Sequence, residues 1–114
     1  MANNFKNAFA TSISTASGSP TTVYTANNGS GVNSILIELD CANTGSSGIT
    51  VTVQIYDNSA TTSYHIVKDA PIPAGGALKI VSGQKVVLNN DDEVRVYASA
   101  ATVDVICSIL EDVS

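Results

Sequence analysis

The stretch Gly48-Ile49-Thr50-Val51-Thr52-Val53-Gln54-Ile55-Tyr56-Asp57 decides the fold class. Ile49, Val51, Val53 and Ile55 share one parity, and Thr50, Thr52, Gln54 and Tyr56 share the other. Successive side chains of a strand point to opposite faces of its sheet, so this alternation describes a strand with one face on a core. Residues 33–41 repeat it, with Ile35, Ile37, Leu39 and Cys41 set against Ser34, Leu36, Glu38 and Asp40. In 102–110 the inward set is Val103, Val105, Cys107 and Ile109.

Shorter strands are expected at 21–26, 64–70, 77–81, 85–88 and 93–98, separated by Asn, Asp, Gly and Pro clusters that favour turns. No segment carries a convincing helical period. The reading is an all-β, antiparallel β-sandwich of jelly-roll or Ig-like type, with about seven to nine short strands. Its expected core is Ile35, Ile37, Leu39, Ile49, Val51, Val53, Ile55, Val94, Val96, Val103, Val105 and Ile109. Residues 31–114 form the sandwich domain. Residues 1–30 are polar, with Phe5, Phe9, Ile13, Val23 and Tyr24 as their large apolar side chains. They read either as an extended arm followed by an edge strand or as a first strand with a long polar lead.

A chain of 114 residues can bury one modest core. Its net charge is −5, and no basic stripe runs along it, which disfavours nucleic acid as a partner. No stretch approaches a membrane span, and the first fifteen residues lack the charged and apolar regions of a signal peptide. Folding in the cytoplasm of the producing cell is therefore expected. Cys41 and Cys107 fit no zinc or redox spacing and sit in apolar strand patterns, so they read as buried thiols rather than a disulfide.

The residues offer little for catalysis. His65 is the single histidine, and no second one completes a metal site with it. Asn89-Asn90-Asp91-Asp92-Glu93 is the densest acidic run, but its spacing is not that of a calcium loop, and it reads as a solvated turn. The expectation is a non-enzymatic chain with no catalytic, cofactor-binding or metal residues. With no Trp, the aromatic content is thin for a carbohydrate-recognising platform used in host attachment, the main alternative among binding modules.

More informative are apolar residues at outward parity: Leu36, Ile106 and Leu110, together with Tyr56 and Tyr97. A solvated sheet face is mostly polar in an antiparallel sandwich, so these five are the candidate contact residues of a homo-oligomer. Cover by the chain's own N-terminal arm is the alternative.

The last part of the chain carries a further pattern. It runs Pro71-Ile72-Pro73-Ala74-Gly75-Gly76-Ala77-Leu78, then Val86-Val87-Leu88, Asp92-Glu93-Val94-Arg95-Val96-Tyr97, and finally Val103-Asp104-Val105-Ile106-Cys107-Ser108-Ile109-Leu110-Glu111. This resembles small β-sandwich virion structural proteins of tailed bacteriophages, in which a Pro-Ala-Gly-Gly turn opens a strand and Gly-Asp precedes a Val-Arg-Val strand. Here Asp91 stands where the pattern has Gly, so Asp91 has to adopt an unusual backbone conformation. The resemblance implies a capsid decoration or cement subunit, or a neck or tail accessory protein. It also implies the major capsid protein or other virion proteins as partners, a trimer slightly ahead of other rings, and a place on the virion after assembly in the host cytoplasm.

Overall fold

A computed structural model describes residues 4–26, 33–82 and 85–113. Among them are nine strands: β1 (Asn4–Ala10), β2 (Thr21–Thr25), β3 (Asn33–Asn43), β4 (Ile49–Asp57), β5 (Thr62–Ile72), β6 (Ala77–Val81), β7 (Val86–Leu88), β8 (Glu93–Ala98) and β9 (Val103–Val113). All the expected strands are present. Residues 4–25, read as an arm and edge strand, supply β1 at the edge of one sheet and β2 at the edge of the other.

Sheet A runs β1-β9-β3-β6 with β7 also on β3, and sheet B runs β2-β8-β4-β5. All pairings are antiparallel. β6 and β7 pair with successive parts of β3, Leu39 to Ala42 and Ser34 to Leu36, and so act as one interrupted strand. Counted so, every connection crosses from one sheet to the other except the β4–β5 hairpin. That connectivity is a jelly roll, and it selects between the two sandwich types the alternation allows.

The core lies between the sheets and contains Leu39, Cys41, Val103, Val105, Cys107 and Ile109 from sheet A, and Ile49, Val51, Val53, Val94 and Val96 from sheet B. Ile13, from the β1–β2 connection, is also buried there. Three expected core residues differ. Ile55 is partly buried against the core, and Ile35 and Ile37 stand on the outer side of β3. The cause is a β-bulge: Leu36 pairs with Ile109 and Glu38 with Ser108, so Ile37 has no partner of its own on β9. One extra residue inverts the parity of everything before it. Ser34 and Leu36 thereby turn inward, each fully buried.

Polar groups close the ends of the sandwich. Asn43, itself buried, donates from Nδ2 to the carbonyls of Ser47 and Ile72 and accepts through Oδ1 from Gly45 N–H and Thr102 Oγ1. At the other end the Tyr24 hydroxyl bonds Ser34 Oγ and the Glu111 carboxylate, linking β2 to β3 and β9. Asp91 has φ 69°, the left-handed angle its place in the turn demands. Its N–H and carbonyl neighbours lock the turn to β2, with Asp91 N–H donating to Ala26 O and Ala26 N–H to Asp92 O.

Candidate interaction surface

The register places the five candidate contact residues in three different locations. Leu36 is in the core, for the reason just given, and cannot meet a partner. Tyr56 and Tyr97 lie on the outer face of sheet B, since Val51 and Val53 of β4 and Val94, Val96 and Ala98 of β8 point inward. Ile106 and Leu110 lie on the outer face of sheet A, on the opposite side of the molecule. The five do not form one patch.

Sheet B turns a largely self-satisfied polar face outward. Arg95 sits over the Tyr56 ring at 3.9 Å from its centroid, a cation–π contact, and its Nε donates to Glu93 at 2.9 Å. Thr22 Oγ1 donates to the same Glu93 oxygen, and Gln54 is hydrogen-bonded to the His65 ring. His65 is thus a rim residue tied to its neighbour strand. The Asn89 to Glu93 run is only partly the solvated turn expected of it. Asp92 is buried, and its two carboxylate oxygens accept the backbone N–H groups of Asn58 and Asn89. Among the described residues, no three His, Cys, Asp or Glu side chains cluster as a metal site.

Sheet A is different. Cross-strand partners in an antiparallel sheet share a face, so the pairings Phe5–Leu110, Leu110–Ile35 and Ile35–Val87 draw an apolar row across β1, β9, β3 and β7. A second row begins Phe9–Ile106 and ends in Asp40 and Lys79. Phe5 is 81% exposed, Phe9 66%, Val87 56% and Ile106 48%. Asn7, Ser108 and Glu38 separate the two rows. Beside Phe9, a shallow groove is lined by Ala10, Thr11, Asp104, Val105 and Ile106.

The far border of this face is charged. Lys79 Nζ lies 3.0 Å from Glu38 Oε2 and 3.6 Å from Asp40 Oδ2. The hydrogen bond from Lys79 holds the Glu38 carboxyl below its usual value. Asp40 moves the other way: burial raises it first, and the Glu38 charge adds to that against the pull of Lys79. Its Oδ1 is buried and makes no hydrogen bond to any described residue. An apolar centre with a charged rim is the usual anatomy of a protein contact surface.

Sequence reasoning identified Ile106 and Leu110 but not Phe5, Phe9, Ile35 or Val87. Phe5 and Phe9, four residues apart, were the available signal, but that spacing fits one face of a helix as well as one face of a strand. Comparison with known proteins adds no relative: no protein-family model matches the chain, and no curated protein shows significant similarity to it.

Proposed function

We propose that this chain is a non-enzymatic virion structural subunit of a tailed bacteriophage, a capsid decoration or cement protein that works by covering the outer face of sheet A. The observation that carries this reading is the pair of apolar rows containing Phe5, Leu110, Ile35 and Val87, and Phe9 and Ile106. Fully burying a large apolar side chain contributes about 1.5–3 kcal/mol, so a partner that covers these partly exposed residues gains a hydrophobic term that offsets part of the cost of association. The jelly-roll connectivity agrees with it, because that fold recurs in viral capsid domains, although it also serves lectins and cupins and so carries no function by itself. The assignment to the virion leans on the resemblance across residues 69–111. Partners would be further copies of the chain and the major capsid protein or other virion proteins. A neck or tail accessory role would use the same face.

Electron microscopy of purified particles, decorated with an antibody against this chain, tests the reading. Label distributed over the head lattice supports a decoration role, label at one vertex or along the tail moves the subunit to the neck or tail, and unlabelled particles that lack the chain overturn the virion assignment.

A further inference from the structure

The four sheet edges are not alike, and the difference identifies the partner of one of them. Exposed edges invite pairing with another strand, and proteins blunt them with bulges, prolines, charges or interruptions. β2 follows Pro20 and carries a bulge between Thr22 and Tyr24. β5 has two register shifts, contains Pro71, and places Asp69 at φ 52°, with its N–H turned to Thr52 Oγ1. The β6/β7 edge is broken between Val81 and Val86. β1 has only one of them, the charge of Lys6, which lies 3.9 Å from Glu111 of its own sheet: the strand keeps one register with β9 from Asn4 to Ala10 and contains no proline. Its outward side chains Phe5 and Phe9 are the most exposed large apolar residues described.

We propose that β1 pairs antiparallel with β1 of a second copy about a two-fold axis through Asn7. This rests on the reading that sheet A's outer face is a contact surface, and it names the partner of its open edge. In an isologous pair residue i meets j and j meets i. For the two outer faces to run on as one surface, the opposed residue numbers must sum to an even value, because opposed residues share a face. A sum of 12 sets Lys6 against the partner's Lys6, a like-charge pair. A sum of 16 sets Phe9 against an Asn and leaves Asn4 and Phe5 facing residues beyond the strand. A sum of 14 pairs the whole strand, Asn4 with Ala10, Phe5 with Phe9 and Lys6 with Ala8, with Asn7 on the axis.

That register also joins the apolar rows. The row Val87–Ile35–Leu110–Phe5 of one copy continues into Phe9–Ile106 of the other, and the symmetric row does the same on the far side of Asn7. The two copies then form a single continuous sheet A with an aromatic pair on each side of the axis. The geometry is a dimer, in place of the trimer that the resemblance implies.

Sedimentation of the full chain and two variants tests the pairing. The parent should sediment at twice its 11.7 kDa mass. Asn7→Lys opposes two lysines on the axis while altering a residue exposed in one copy, so it should remain folded by circular dichroism and sediment at one chain mass. Asn7→Cys should give a covalent dimer on mild oxidation, whereas Lys6→Cys, which faces Ala8, should not. A folded parent that stays at one chain mass at high concentration overturns this inference together with the self-association reading. An oligomer of any size that Asn7→Lys leaves intact overturns the β1 pairing alone.

Discussion

The carboxylate of Asp92 accepts the backbone N–H of Asn58 at 3.0 Å, joining the turn before β8 to the tip of the β4–β5 hairpin. Its other oxygen accepts Asn89 N–H at the same distance, so one buried acid clamps two loops. A charged acceptor contributes about 1.5–3 kcal/mol per hydrogen bond, more than a neutral one. Asp92→Ala leaves both N–H groups without that acceptor and is expected to cost about 2–4 kcal/mol. Asp92→Asn should cost less, since one amide oxygen can keep one of the bonds. Urea denaturation of the two variants checks the order, and an Asp92→Ala midpoint equal to that of the parent would remove the clamp.

Cys41 and Cys107 are free and fully buried on adjacent strands. Burial pushes both thiols up to about 12. Reducing agent should therefore leave the melting temperature unchanged, and a thiol reagent should modify the chain only after denaturation. The sign of the pH effect follows from linkage. An unfolded thiol ionises near 9.0, while the folded ones hold their protons to about 12, so stability is full below the first value and falls as pH rises towards the second. Melting curves between those limits should shift steadily downward, and a flat profile would contradict the burial.

Asp40 makes a test of the same sign in acid. Its carboxyl is raised from 3.8 by burial and by the Glu38 charge. The folded chain thus binds its proton more tightly than the unfolded one, which gives stability that is present below the ordinary value and lost as pH rises through the raised one. Asp40→Asn removes that term. Relative to the parent, the variant should gain in melting temperature on passing from below pH 3.8 to neutrality. A constant difference across that range would show that Lys79, at 3.6 Å, fully offsets the cost of desolvating this partly buried carboxylate.

What the sequence made legible, and what it hid, follows from how far each signal reaches. Alternation is local, so it finds strands and assigns parity wherever the ladder is regular, as at Val51 and Val53 or at Val103 and Val105. It fails at Ile37, because the bulge there exists only in relation to β9. Tyr56 and Ile106 show a second limit: parity says that both point away from the core but not that they leave it on opposite sides, which depends on the order of strands in two sheets. Asp91 was readable through the resemblance, which has Gly at its place in the turn and so implies a positive φ there. Phe5 and Phe9 were hidden by their polar neighbours, because outward apolar residues reverse the pattern by which a strand is normally recognised.

Lysine substitutions at Leu36 and Ile106 separate the two faces of sheet A. Local parity gives these residues the same outward side, so on that reading both variants would fold and both would weaken assembly. The structure assigns them different fates. Leu36 is fully buried opposite Ile109, and an unpaired ammonium there must be desolvated or drag its strand open, at a cost of several kcal/mol. A domain of this size has only about 5–15 kcal/mol of stability, so Leu36→Lys should be largely unfolded or aggregated. Ile106 is 48% exposed beside Phe9, and its lysine can reach water along the open groove. Ile106→Lys should therefore keep the far-ultraviolet spectrum and a melting temperature within a few degrees of the parent, and on the proposed function it should weaken self-association and particle attachment. Two folded variants would place the bulge elsewhere in β3, and a folded Ile106→Lys that assembles like the parent would take the outer face of sheet A out of the contact.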